Sequence, residues 1–203
     1  MISNPTRNLR VAVIAALMFL ALPVGSALAA SGGSNTLLLT AGSRSISGAT
    51  PNNLTATLTG SDQLVYTTLS TYTAADTTGT GLGWHLTFQA TQFACTTSDT
   101  GCPTAGDSLS VGSLLMPPPT VACASGTSCN GRAGLPTVSV STNSPLDSGS
   151  AVSVSSAAPN KGMGTYTFTP GAIGTGNLQL AVPSSAYATT YHSTLTVSIV
   201  SGP

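Results

Sequence analysis

Glutamate is absent from this chain, and charged side chains of any kind occupy only 5% of its 203 positions. Basic residues are few and scattered, with no cluster to neutralise phosphates. That excludes a nucleic-acid binder and a protein held electrostatically on anionic lipid. Beyond the N-terminus there is no long apolar run, so no second segment qualifies as a membrane span. No stretch after residue 29 carries an i, i+3, i+4 apolar stripe with capping residues, which argues against helices. Threonine, serine, glycine and alanine fill the places that Lys and Glu usually hold. Threonine favours strands, and glycine and serine favour turns, so the bias points to an all-β extracellular domain. Disorder is the competing reading of such a composition. A 41% hydrophobic content opposes it, because that is enough apolar surface to build a core.

The N-terminus sets the compartment. Arg7 and Arg10 precede a twelve-residue apolar run, Val11 to Leu22, which is too short to cross a bilayer comfortably. Pro23 and Gly25 break it, and Ala27-Leu28-Ala29 supplies the small residues of a cleavage site. Residues 1–29 therefore read as a secretory signal peptide and residues 30–203 as one mature domain. Cleavage removes two arginines and leaves three basic side chains against five aspartates. Leu135-Pro136-Thr137 lacks the glycine of a sortase signal and no hydrophobic tail follows, which argues against covalent anchoring.

Cys95, Cys102, Cys123 and Cys129 are an even set in an exported chain and read as two disulfides. Three connectivities are open; two local loops, Cys95–Cys102 and Cys123–Cys129, are the simplest. The spacings do not suit a zinc knuckle. The surrounding stretch, residues 95–134, is rich in Gly, Ser, Thr and Pro and includes Met116-Pro117-Pro118-Pro119. It reads as a long disulfide-clipped loop inserted in the domain, with the prolines as a rigid spacer.

Elsewhere the pattern has period two. Leu54, Ala56 and Leu58 alternate with threonines, Val138 and Val140 with serines, and Val152 and Val154 likewise. Tyr166 and Phe168 share one side, as do Leu178, Leu180 and Val182, and Tyr191, Leu195, Val197 and Ile199. Such segments are half-buried strands with one wet face. With Gly/Pro/Asn/Ser turns between them, they predict a single antiparallel β-sandwich of about seven to nine strands with Greek-key connections.

Motifs that carry chemistry are thin. Gly106-Asp107-Ser108-Leu109 spells the GDSL of a serine hydrolase family, but that family's base follows an aspartate by three positions. Here the positions three before His85 and His192 hold Leu82 and Thr189. Ser108 is thus left without the base and carboxylate that nucleophilic catalysis requires. His85 and His192 fall on polar faces of strands, where one shared sheet would let them meet, yet no further ligand has helpful spacing. The aspartates form no calcium loop. Gly79-Thr80-Gly81-Leu82-Gly83 lacks the lysine and helix of a phosphate loop. The expectation is a protein without catalysis, metal or cofactor.

The lone tryptophan lies in "GTGLGWHLTFQATQF", Gly79 to Phe93. Trp84, Leu86 and Phe88 share a side; His85, Thr87 and Gln89 take the other. Burying the three large side chains is worth of order 10 kcal/mol gross, so a core role is the stronger reading for Trp84. A ligand-binding role for Trp84 and Leu86 is the rival. Phe93 has the wrong parity for that face, which predicts a bulge or a strand end between Ala90 and Phe93.

Trp84-His85-Leu86, together with the C-terminal "YATTYHSTLTVSIVSGP", resembles the WxL-domain family of secreted bacterial cell-surface proteins. Tyr187, Thr190, Tyr191, Thr194, Leu195 and Thr196 fit that family's approach to its final strand. The family's second W-x-L falls at Val197-Ser198-Ile199, where the aromatic is lost and hydrophobic character is kept. The resemblance implies a non-catalytic, exported surface protein that associates non-covalently with peptidoglycan or with other surface proteins. An alternative reading is a structural or adhesive subunit whose terminal strand pairs with a neighbour's sheet edge.

Overall fold

A computed structural model describes residues 36–202; the signal peptide read at residues 1–29 lies outside them. The described chain is almost wholly β, with one short 3₁₀ turn at Gly131–Ala133. Its strands are β1 (Arg44–Ser47), β2 (Gln63–Thr67), β3 (Tyr72–Asp76), β4 (Trp84–Ala90), β5 (Leu114–Met116) and β6 (Thr120–Cys123). They continue as β7 (Thr137–Val138), β8 (Ser144–Pro145), β9 (Val152–Ala157), β10 (Gly164–Thr169), β11 (Leu178–Val182) and β12 (Leu195–Ser201).

These form three four-stranded antiparallel sheets, ordered β1-β3-β10-β6, β2-β11-β5-β8 and β12-β4-β9-β7. The arrangement is sandwich-like. The twelve described strands exceed the seven to nine expected, because several ladders are short: β7 and β8 have two residues each and β5 has three. No sheet neighbours are consecutive in the chain. The sandwich is therefore stitched by long connections, with no simple hairpin ladder among the described strands.

Strand β4 shows why the alternation succeeds. Its burial alternates without a break from Trp84 to Ala90, with Trp84, Leu86 and Phe88 fully enclosed. The partners across the core are aromatic. Tyr72 of β3 lies 5.3 Å from Phe88 and stacks on Phe168 of β10 at 5.2 Å, and Trp84 sits 6.1 Å from Tyr166. These tilted and stacked pairs add about 0.5–1.5 kcal/mol each to simple burial. The first and third sheets thus meet through Tyr72, Tyr166, Phe168, Trp84 and Phe88. Leu114 and Met116 of β5 and Leu178 and Leu180 of β11 bring the second sheet into the same core cluster.

Polar groups inside this core are mostly answered. Asp76, buried on β3, pairs with Arg44 Nε at 3.2 Å and accepts from the Thr78 amide and hydroxyl. Asp147 is likewise buried and accepts from the Ser113 amide and hydroxyl and the Leu114 amide. It fixes the entry to β5, since three donors offset the cost of desolvating a carboxylate. Tyr72 is an exception: its hydroxyl is buried without a partner, and burial pushes its pKa up.

Three local readings are corrected. Residues 95–134 are not one surface loop, because they contain β5 and β6, with Leu114, Met116, Pro117 and Pro119 buried. Short strands on either side of three prolines are too brief to show a period. Strand β9 does not keep its valine–serine alternation throughout. A register shift opposite Leu86/Thr87 makes Leu86 face Ser155 and Thr87 face Ser153, so Val154 is the extra residue. Val154 and Ser155 are both buried, and Ser155 Oγ donates to Thr137 O at 2.9 Å. Finally, the segment Leu54–Thr59 is not a strand. It belongs to no sheet, and only Leu54 of it is half-buried.

Candidate functional site

The W-x-L segment is entered through a glycine turn. Gly83 has φ +74°, and a Cβ there would strike the Ala157 carbonyl oxygen on the neighbouring strand. Close approach of β4 to β9 therefore needs glycine at this point. Immediately afterwards Trp84 turns inward. Its Nε1–H donates to the Gly162 carbonyl at 2.8 Å in a buried setting. Gly162 has φ +69°, and a Cβ on it would collide with both the indole and Ala157. The tryptophan thus has a fitted slot and a satisfied polar atom, as a core plug requires.

Trp84 and Leu86 have no exposed surface. Side chains in that position are enclosed by the fold, in keeping with the core role that the alternation of β4 favours over ligand binding. Strand β4 ends at Ala90, in keeping with the parity break expected before Phe93.

The segment corresponding to the second motif lies beside the first. Strand β12 pairs antiparallel with β4, with Val197 opposite Phe88, Ile199 opposite Leu86 and Ser201 opposite Trp84. Residues directly opposite on one face are the contact pairs of a sheet. Val197 and Ile199 are half-buried and pack on the core from the edge. A tryptophan at position 197 would stand over Phe88; valine fills part of that space and keeps it apolar.

The histidines do not meet. His85 lies at the start of β4, opposite Val200, and its Nδ1 is 2.9 Å from the Gly202 carbonyl oxygen. His192 bridges Ala94 beyond the other end of β4. Nine residues of extended chain separate the two places, a span of about 30 Å. No group of three or more metal-ligating side chains occurs among the described residues.

His192 has another partner. Its Nε2 lies 3.0 Å from Asp99 Oδ1, in the middle of the loop closed by Cys95–Cys102. Asp99 also accepts from the Thr96 amide at 2.7 Å and hydroxyl at 2.8 Å. The His192 hydrogen bond first, then those from Thr96, pull the Asp99 carboxyl down to about 2. Ala94 also bridges Ser108, so Ser108, Ala94 and His192 form a row across three chain segments. Two strand spacings put Ser108 and His192 about 10 Å apart at Cα. A base must come within about 3 Å of the hydroxyl it activates, and among the described hydrogen bonds none joins the two residues. The second disulfide is Cys123–Cys129, so both bridges close local loops.

Away from the W-x-L strand lies an open cleft of about 670 Å³, bounded by Leu54–Leu58 on one side and Ala186–Tyr191 on the other. Its floor includes Phe93 and Leu180. A second hollow of about 470 Å³ continues it, sharing Leu54, Thr55, Phe93, Thr190 and Tyr191. Nothing in the period-two pattern marks this cleft, because its walls are segments outside the sheets. The Tyr187–Tyr191 pair was visible in the sequence only as part of the approach to the last strand.

No helix among the described residues is long and apolar enough to cross a membrane. A family model described as WxL domain, surface cell wall-binding, matches residues 39–203. Neither the curated proteins nor the solved structures contain a match to the chain.

Proposed function

The chain belongs to the WxL family of surface cell wall-binding domains, and from that premise we propose a non-catalytic envelope protein that holds peptidoglycan by non-covalent contact. The match over residues 39–203 carries the reading, because it spans the whole sandwich rather than one triplet. The signal peptide read at residues 1–29 supplies the route to the surface. The structure supports a change in how the motif is understood: Trp84 and Leu86 build the domain, and the wall is met by some other face. Purified mature protein mixed with peptidoglycan sacculi tests this. Sedimentation with the sacculi above an albumin control is expected; recovery wholly in the supernatant overturns it.

A second reading, strand-paired assembly, is favoured by one observation. Strand β12 is the edge of its sheet, seven residues long, without charge or proline. Edges of that kind are templates for another strand unless charge or a bulge blocks them. Light scattering on a sizing column discriminates. A strict monomer at high concentration removes this reading, and a dimer abolished by Val200→Lys supports it.

A further inference from the structure

The wall-facing surface is the cleft under residues 54–58, and we propose that it binds the uncharged glycan strand of the wall rather than its charged peptides or anionic polymers. The inference rests on the wall-binding reading above and adds to it a site and a ligand class.

Charge is the first argument. No aspartate, lysine, arginine or histidine lines the 670 Å³ cleft, and the hollow that continues it adds only His192, whose Nε2 is paired with Asp99. A buried carboxylate or phosphate would be desolvated there with no opposite charge to offset the cost. The volume lies in the range of built ligand sites, about 300–1,000 Å³.

The lining is the second. Phe93 and Leu180 provide an apolar floor, while Tyr187, half-exposed, presents a ring at the mouth. Its neighbour Tyr191 is pinned, because the Tyr191 hydroxyl accepts from the Tyr187 amide at 3.2 Å. Aromatic rings beside hydroxyl-bearing side chains suit a ligand with apolar faces and hydroxyl edges, which is what a pyranose is. Thr189 lines the same wall, and its buried Oγ1 has no hydrogen-bond partner.

The flap is the third. The run from 52 to 59 lies alongside β2 but is held to it only near its ends. Asn52 N bonds Thr68 O at 2.9 Å, Thr67 Oγ1 bonds Asn52 O at 3.1 Å, and Gln63 Nε2 bonds Thr57 O at 3.2 Å. Among the described bonds, none joins backbone to backbone from Leu54 to Leu58. Apart from the Thr57 carbonyl, which Gln63 occupies, those amides and carbonyls can meet a ligand's hydroxyl and acetamido groups. The second hollow continues the first along the flap toward Pro51. The trough therefore follows about eight residues of chain, at most about 28 Å, which suits a polymer better than a compact ligand.

The test titrates the mature protein with a β-1,4-linked N-acetylglucosamine hexamer by calorimetry, and runs the sacculus sedimentation in parallel. Tyr187→Ala and Leu58→Ser are used because both side chains are substantially exposed; an unchanged thermal midpoint verifies their fold. Hexamer binding is expected for the wild type, weakened at least tenfold in either variant and retained in Tyr187→Phe. Sacculus binding should fall in the same order. Absence of hexamer binding, or variants that bind like wild type, overturns the cleft. If sacculi still sediment the protein in that case, wall binding stands and only its site is wrong. If the hexamer binds through Tyr187 but sacculi do not, the cleft stands and the wall reading falls. Displacement of the hexamer by a wall stem peptide would assign the cleft to a peptide strand and also overturn the glycan proposal.

Discussion

Two segments of this chain have the same written pattern and opposite fates. Trp84–Ala90 alternates large apolar residues with polar ones and is a central strand, laddered on both sides. Leu54–Thr59 alternates Leu, Ala and Leu with threonine and joins no ladder. The difference is not the period. It is the size of what alternates and whether a partner edge is open to it. Trp84, Leu86 and Phe88 together remove far more surface from water than two leucines and an alanine. That gain offsets the entropy of fixing seven residues. The 54–59 segment lacks it and stays a flap.

Breaking the ladder should separate the two most sharply. Thr87→Pro removes an amide from a strand with neighbours on both sides, and no folded protein is expected by far-UV circular dichroism. The matching change Ala56→Pro in the flap should leave stability within about 0.5 kcal/mol, because no ladder bond is lost. Next in size, Trp84→Ala should cost about 3–5 kcal/mol in urea unfolding, the range for emptying a large aromatic site. If Trp84 were mainly a binding residue, the cost would be near zero and sacculus binding would fall instead. A smaller effect of opposite sign is expected at Tyr72, which packs on Phe88. Tyr72→Phe removes a buried unpaired hydroxyl and should stabilise the fold by roughly 1 kcal/mol. The smallest effect concerns the loop that follows β4. Asp99 has a carboxyl held below its unfolded value, so its contribution is present above about pH 4 and fades as the pH falls toward 2. The protection of the Thr96 amide, which donates to Asp99, should fall over that window in the wild type once the intrinsic pH dependence of exchange is divided out. Asp99→Asn should show the lower protection already at neutral pH.

The all-β class, the paired local disulfides and the inward face of β4 were legible because each rests on a strong local signal. Tyr166 with Phe168 and Leu178 with Leu180 were legible for the same reason. Strand β3 was not. Its "YTAAD" carries one aromatic, small alanines and an aspartate, and it takes Arg44 and the Thr78 amide and hydroxyl to make that aspartate tolerable inside. Strands β5 and β6 hid among cysteines and prolines, where three or four residues show no period. The bulge in β9 could not be read, since Val154 looks like its neighbours until β4 sets the register. The cleft was illegible for a different reason. Its residues come from 54–58, 93, 180 and 186–191, and only the fold brings them together.

One feature of the topology bears on how the molecule is made. Every ladder joins strands that are not neighbours in the chain, and β4 receives its outer partner from residues 195–201. A chain with this topology cannot fold stepwise by hairpins. Until Leu195–Ser201 is in place, Leu86 and Phe88 lack the cover of Ile199 and Val197 along one edge. Such dependence on distant contacts makes for slow folding, on the millisecond-to-second scale of sandwich domains. The same late strand that seals the tryptophan sheet therefore acts as a timer, delaying final compaction until residues 195–201 are available to pair.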